Sequence, residues 1–327
     1  MYDVCALGEL LIDFTPAGTS PAGNLLFERN PGGAPANVLA AVTRLGGTGA
    51  FIGEVGADAF GRYLQQVLED NGIESRGLRF AADADTTLAF VTLTEAGDRD
   101  FSFYRRPGAD TRLSPEDLDL SLISGARIFH FGSLSMTHEP ARSATLQAAA
   151  HARATGRLVS YDPNWRPPLW ESPEKARAGM ELGLPFADIL KISEVELEFL
   201  TGETDLGKGS RKLFRAGMQL LLVTLGPRGC YYRSAQGAGR LDTYDTRVVD
   251  TTGAGDAFLG GLLYRVARLE RPLRDLPVED LEELVDFSCA VGSLCTTKRG
   301  AIPAMPTLDD VQRCRNEVPR LEGGPHG

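Results

Sequence analysis

The sequence predicts an α/β protein whose mostly parallel sheet is covered by helices on both faces. Three observations lead there. Several apolar runs lack the alternation of a half-exposed strand, amphipathic stretches with three- and four-residue spacing lie between them, and glycine or proline marks the junctions. Repeated strand and helix units make neighbouring strands parallel and place helices on both sides.

Taken in order, "YDVCALGELLIDF" (2–14) reads as one strand buried on both faces, and 15–31, broken by Pro16, Gly18, Pro21, Gly23 and Pro31, as loop or short strands. A helix opens at Ala34 with Pro35 early in it, repeats Val38, Leu39, Val42 and Leu45, and closes at Gly46-Gly47. "GAFIGEVG" is a strand and 58–71 a helix ending at Asn71-Gly72. Residues 86–106 are two alternating runs around a glycine turn, a hairpin signal. "ARIFHFGS", "RLVSYDPN", "ADILKIS" and "LLLVTLG" read as strands, with an Ala-rich helix at 139–154 and an acidic helix after Ser193. "CYYRS", "RLDTYDT" and "VVD" suggest a short antiparallel meander, and helices at 254–268 and 279–296 complete the core. The expected division is a core of 1–12, 31–85 and 113–320, a β lid of 13–30 and 86–112 over the carboxyl edge of the sheet, and a frayed tail at 321–327.

Composition narrows the function. A formal charge of −10 with no basic run argues against nucleic acid or acidic membranes and favours a small-molecule partner. Cys5, Cys230, Cys289, Cys295 and Cys314 are odd in number and never form Cys-x-x-Cys, as expected of reduced, packed thiols. No signal peptide or membrane-length apolar stretch is read, so the cytoplasm is the expected compartment.

The chemistry concentrates in "VVDTTGAGDAFLGG" (248–261). Gly253, Ala254 and Gly255 let backbone N–H groups converge at a helix start, where donors lack partners and the helix dipole is positive, forming an anion hole. Asp256 in that first turn either offsets the dipole, worth about 0.3–1 kcal/mol, or orients a nucleophile beside a migrating phosphoryl group and takes its proton. Its helix position leads to the expectation of a depressed pKa. In "NPGGAPANV", Gly32-Gly33 permits close approach of a polyol, and Asn37 offers both donor and acceptor; a tight turn with Asn37 bonded locally is the alternative. Asp13, at a strand end, is either a ligand or a turn cap. Two near-motifs fall away. "GETDLGKGS" has Gly209 where a phosphate loop needs a hydroxyl and reads as a surface loop, and Phe258 replaces the third glycine of a dinucleotide fingerprint.

"GELLIDF", "NPGGAPANV", "FSFYRRPGAD", "SYDPNWR", "LKISEVELEFLTG", "VTLGPRG" and "VVDTTGAGDAFLGGLL" occur in the order and spacing of the ribokinase-like (PfkB) carbohydrate kinases, and the chain resembles the bacterial fructokinases of that family. The resemblance, from about residue 3 to 306, implies a Rossmann-like three-layer core with a β lid and transfer of the ATP γ-phosphoryl group to a primary sugar hydroxyl, with fructose as the expected acceptor. It implies Asp256 as base, Gly253, Ala254 and Gly255 as the anion hole, and Asp13, Gly32, Gly33, Asn37, Arg105 and Arg166 on the substrate side. Lys191, Thr224, Gly226 and Gly229 fall on the ATP side, and Glu196 near Mg²⁺ through water, although Ser193 stands where the family carries Asn. Asp250, Thr252, Cys295, Lys298 and Gly300 match the surroundings of a potassium ion, and the lids of the family often pair into a homodimer. For either arginine taken alone, salt bridging is the alternative. The rival activities are a 2-keto-3-deoxygluconate kinase and an aminoimidazole riboside kinase; outside enzymes, the rival is a catalytically silent sugar-binding regulator.

Overall fold

Gly8 divides the first apolar run into two strands. The computed structural model of the protein describes residues 1–93 and 99–321. Strand β1 (Tyr2–Leu7) stops at Gly8, where a Cβ would lie 2.7 Å from the Pro35 ring, and the chain re-emerges as β2 (Leu11–Thr19) in a different sheet. The single strand expected over 2–14 is therefore two, and the Pro/Gly-rich stretch that follows is a strand as well, β3 (Leu25–Gly32). Because β3 is an edge strand, Pro31 can sit in it without removing a needed ladder bond.

Helix α1 (Ala34–Arg44), β4 (Gly49–Gly56) and α2 (Ala59–Asp70) fall where their periodicity places them, and β5 (Ile73–Ala81), not foreseen, follows. The hairpin strands are β6 (Leu88–Leu93) and β7 (Arg99–Tyr104), antiparallel with Leu88 opposite Tyr104; the glycine turn between them lies outside the described residues. Next come α3 (Leu120–Ser124), β8 (Ala126–Gly132), α4 (Ala141–Ala154), β9 (Leu158–Asp162), α5 (Pro173–Gly183) and β10 (Ile189–Ser193). They are followed by α6 (Glu194–Thr201), α7 (Leu206–Leu213) and β11 (Leu220–Thr224). The "GETDLGKGS" stretch, expected as a loop, enters α7, capped by Asp205, which accepts from Lys208 N at 2.6 Å. Strands β12 (Cys230–Arg233) and β13 (Ala238–Leu241) form the meander, but "VVD" is not a strand. Helices α8 (Ala254–Val266), α9 (Val278–Cys295) and α10 (Leu308–Glu317) complete the chain. Of the expected tail, Leu321 is held by a hydrogen bond from its N–H to Thr243 O, and 322–327 lie outside the described residues.

The large sheet has the order β13-β12-β11-β10-β9-β8-β1-β4-β5, and every neighbouring pair from β11 to β5 is parallel. Alternate residues of β1 feed two cores: Val4 and Ala6 pack with α1, α8 and α9, while Cys5 and Leu7 pack with α3, α4 and α5. This is a three-layer α/β/α arrangement. The chain grows from β1 in opposite directions through β4 and β8, so the crevice beyond the carboxyl ends of β1 and β8 is a topological switch point, the usual ligand position in such sheets. The second sheet, β3-β2-β6-β7, stands beside that crevice, with the β2–β6 pair parallel (Asp13 opposite Ala89) and an aromatic group of Phe14, Phe90, Phe27 and Tyr104 on it.

Candidate active site

The start of α8 is built to expose main-chain donors. Gly253, its N-cap, takes φ 74°, and a Cβ there would lie 2.5 Å from Ala301 Cβ, so glycine is required on both grounds. The turn before it is tied down by Asp250, whose Oδ1 accepts from Thr252 N at 2.9 Å and Thr252 Oγ1 at 2.7 Å, and whose Oδ2 accepts from Gly300 N at 3.0 Å. The N–H of Ala254 bonds to Thr251 O at 3.2 Å, which removes it from the expected anion hole. The N–H groups of Gly253, Gly255 and Asp256 have no hydrogen-bond acceptor among the described residues. Three donors without acceptors remain at the positive end of a helix, where an anion can be held.

Asp256, in the first turn of α8, is 8% exposed. Its Oδ2 accepts from Asn37 Nδ2 at 2.8 Å, so Asn37 bonds across the site to α8 instead of to local backbone. Burial pushes the Asp256 carboxyl up to about 6, against the opposing pull of Lys191 and the Asn37 hydrogen bond. The depressed value expected from the helix end is overturned: desolvation of a buried carboxylate outweighs the field of one helix terminus.

Asp256 and Asn37 line a cavity of about 350 Å³ together with Glu9, Asp13, Gly33, Asn164, Arg166 and Lys191. Asp13 neither ends a strand nor caps a turn; it sits within β2, paired with Asn30, and burial raises its carboxyl to about 6, with Asp256 adding to the rise. Gly32 lies directly beside it, and a Cβ there would collide with Asp13 Oδ2. Gly33 takes φ 116° against Glu9 O. Glu9, which no sequence motif singles out, accepts from Ala34 N at 2.9 Å and fixes the start of α1; burial raises it to about 7. In the sequence it stands within "GELLIDF" as an acid inside an apolar run, with no role read for it. Asn164, equally unforeseen, is the one non-glycine residue with positive φ among the described residues (50°), and its N–H bonds to Asp162 Oδ1 at 3.1 Å. Arg166 donates from Nη1 to Trp165 O at 3.1 Å and lowers the Asp13 and Asp256 carboxyls.

Lys191 lies in the middle of β10 and not at its end; it is buried and pairs with Asp162 Oδ2 at 2.7 Å. Burial works against its charge, but Asp162, Glu196 and Asp256 more than compensate, so its pKa is raised and the ammonium persists. A Cβ on Gly255 would lie 3.0 Å from Lys191 Nζ, which places this cation against the α8 start. Arg105 departs from its expected position: it is buried and donates through Nε to Asp110 Oδ2 at 2.8 Å and through Nη1 to Thr137 Oγ1 at 2.8 Å, and it is not a wall of the cavity. Glu196 is neither a surface charge nor a cavity wall. Its Oε1 accepts from Trp165 N at 2.6 Å and its Oε2 from Ser193 N and Oγ at 2.7 and 2.8 Å, a reciprocal capping box at the start of α6. Ser193, standing in place of the family's Asn, is the N-cap of that box.

A second cavity of about 510 Å³ is lined by Thr224, Gly226, Gly229, Tyr244, Val248, Phe258 and Leu321 among others. Glycine is obligatory at Gly229, with φ 83° and no room for a Cβ beside Leu241 O. Thr251 and Gly255 line both cavities, so the two meet at the start of α8. Of the expected potassium neighbours, Asp250, Thr252 and Gly300 are joined by the bonds above, and Cys295 Sγ lies 3.7 Å from Thr252 O. Lys298 instead lines a separate groove with Asp310 and Arg313. Among the described residues, no group of three or more His, Cys, Asp or Glu could hold a metal ion.

Residues 1–308 match the family described as pfkB family carbohydrate kinase. A rice protein (Oryza sativa subsp. japonica) named Fructokinase-1 is 50% identical over 314 residues, covering 94% of this chain and 96% of the rice protein. The crystal structure of a fructokinase with bound ATP from Xylella fastidiosa is 36% identical with a TM-score of 0.90, covering 97% of this chain and 99% of that one. A fructokinase from Vibrio cholerae O395, solved with fructose, ADP and calcium ion bound, is 33% identical with a TM-score of 0.86, covering 95% and 98%.

Proposed function

The chain belongs to the pfkB family of carbohydrate kinases, and we propose that within it the protein is an ATP-dependent fructokinase, moving the γ-phosphoryl group of ATP to a primary hydroxyl of fructose to give fructose 6-phosphate and ADP. The observation that carries this reading is the junction of two cavities at Thr251 and Gly255, next to Asp256 and to the N–H groups of Gly253, Gly255 and Asp256, which have no acceptor among the described residues. A sugar in the smaller cavity meets Asp13, Asn37 and Asp256; a nucleotide in the larger one brings its phosphates to the α8 start. The three N–H groups and Lys191 hold phosphoryl oxygens and neutralise charge that develops during transfer. Asp256 orients the attacking hydroxyl and takes its proton, and its raised pKa makes it a stronger base than an exposed aspartate. The names of the Xylella and Vibrio proteins, with ATP in one and fructose and ADP in the other, support both ligands.

The residues fit a divalent ion that arrives with the phosphates: nothing among the described residues builds a dedicated metal cage, and Mg²⁺ keeps several waters and uses few protein ligands. The turn held by Asp250, beside Gly300 and Cys295, suits a potassium ion that steadies the α8 start. The outer sheet exposes Leu25 and Tyr104 on the face that carries Phe27 and Phe90, which supports a homodimer through that face. Five free, buried cysteines suit the cytoplasm. A panel of sugars with Mg-ATP, read as ADP release, tests the reading, with fructose expected to be turned over fastest. In the same assay Asp256→Asn is expected to keep sugar and nucleotide binding and lose at least about a hundredfold in turnover. Preferred turnover of a riboside or a keto-deoxy acid would reassign the substrate. Full activity of Asp256→Asn would end the kinase mechanism.

A further inference from the structure

The nucleotide cavity has a wall supplied by chain far from the glycine motif. Residues 242–246 leave β13 and run along the cavity, where Thr243, Tyr244 and Thr246 line it. On one side this stretch is fastened to α9: Ser293 Oγ lies 2.6 Å from Thr243 Oγ1, and Ser293 O accepts from Thr246 Oγ1 at 3.1 Å. On its other side the chain returning from α10 lies antiparallel to it. Asp245 N donates to Pro319 O at 2.8 Å, Leu321 N donates to Thr243 O at 2.9 Å, and Tyr244 and Arg320 form the bridge between them. Leu321 itself lines the cavity.

Arg320 fastens this pairing. Its Nη1 donates to Asp242 O at 2.8 Å, its Nη2 to Asp286 Oδ1, and its guanidinium carbon stands 5.0 Å from the centre of the Tyr244 ring. Asp286 is 8% exposed and also accepts from Tyr244 OH at 2.7 Å and from Arg315 Nε at 2.7 Å. One buried carboxylate therefore holds both the cavity-lining tyrosine and the arginine beside the cavity-lining leucine. Breaking a charge-assisted contact to such a group frees the segment it anchors.

We infer that residues 319–321 form an outer wall of the nucleobase end of the nucleotide cavity, and that Arg320 is a positioning residue for nucleotide binding. The inference rests on the reading that this cavity takes ATP. The phosphate end is marked by Thr251 and Gly255, which the sugar cavity shares; Tyr244, Val248, Phe258 and Leu321 belong to the larger cavity alone. Their apolar surfaces suit a flat, uncharged heterocycle. Arg320 touches neither sugar nor phosphates and acts through Tyr244 and Leu321.

The test uses the full chain with Arg320→Ala, Leu321→Ala and Arg315→Ala, each checked for folding by circular dichroism. Kinetics are measured with ATP varied at saturating fructose and the reverse, and affinity for a non-hydrolysable ATP analogue is measured by calorimetry. Arg320→Ala and Leu321→Ala are expected to weaken analogue binding and raise the KM for ATP by about three- to tenfold, as the partial loss of one apolar contact implies. Both should leave the fructose KM and kcat within about twofold, and Arg320→Lys should restore part of the loss. Arg315→Ala removes another partner of Asp286 without touching 319–321; it should lower Tm and leave the ATP KM unchanged. Unchanged analogue affinity in both Arg320→Ala and Leu321→Ala overturns the inference, as does an equal loss in Arg315→Ala. Failure of the wild-type protein to bind the analogue overturns the nucleotide reading itself.

Discussion

Asn37 Nδ2 donates to Asp256 Oδ2 at 2.8 Å, joining α1 to α8 across 219 positions of sequence. The bond uses one oxygen of the carboxylate and leaves the other to meet a substrate hydroxyl. The remaining polar atom of Asn37, Oδ1, is buried without a hydrogen-bond partner among the described residues, an acceptor that a sugar hydroxyl can satisfy. In the proposed reaction Asn37 thus serves the base and the substrate at once.

Asn37→Ala should therefore do more than weaken sugar binding. The hydrogen bond favours the ionised carboxylate, so its loss raises the Asp256 pKa further and moves the acid limb of the kcat profile to higher pH, alongside a loss of about ten- to a hundredfold in kcat/KM. A pH–rate profile of wild type and variant decides this; superimposable acid limbs would show that Asn37 does not act on Asp256.

In the wild-type protein the base must be ionised to accept a proton. With the Asp256 carboxyl at about 6, turnover should be flat above pH 7 and fall on acidification through about pH 6. The neighbouring Asp13, also at about 6, titrates in the same window, so the limb belongs to the pair. An activity that stays level down to pH 4.5 would contradict the burial of this carboxylate.

Asp13 carries a cost for the ligand-free protein. Its pKa is raised on folding from 3.8 to about 6, so its contribution to stability is fully present below pH 3.8 and is lost as pH rises through about 6. Asp13→Asn removes the buried charge. Its Tm should exceed that of wild type at pH 7.5 and converge on it near pH 4, while sugar affinity falls. Scanning calorimetry across that range checks the sign, and a destabilised Asp13→Asn at pH 7.5 would refute it.

Glycines at positive φ should differ sharply in their tolerance of alanine. At Gly46 (φ 92°) nothing lies within 4 Å of the position a Cβ would take, so alanine costs only the backbone strain of about 1 kcal/mol. At Gly33 (φ 116°) the Cβ would strike Glu9 O, and the cost should exceed about 3 kcal/mol with loss of activity. Urea titration of the two variants measures the gap, and equal midpoints would refute the close packing of Glu9 on the α1 start.

Much of this was legible in the sequence because it rests on local rules. The parallel core followed from uninterrupted apolar runs between amphipathic stretches, and the α8 start from glycines beside an acid. What escaped depended on contacts distant in sequence. One apolar run became two strands because Gly8 meets Pro35, and the proline-rich stretch became β3 because an edge strand tolerates Pro31. The pKa of Asp256 takes the opposite sign from the expected one because a helix end is visible in sequence, whereas the burial that outweighs it is assembled from separated segments. Arg105 offered a charge without showing that Asp110 would claim it, and Glu9 and Asn164 offered no periodic signal at all.

The residues around the proposed reacting centre come from two different bodies of the fold. Asp256 and its N–H donors ride on a core helix, whereas Asp13 is carried by the outer sheet, which the chain enters from β1 through only Gly8, Glu9 and Leu10. On the proposed function, choice of acceptor and the power to react are consequently open to separate inheritance: drift in the outer strands can retune which polyol is accepted while the chemical step passes unaltered to descendants. The three-residue junction sets the limit of that freedom, since Glu9 within it also anchors the helix that presents Asn37.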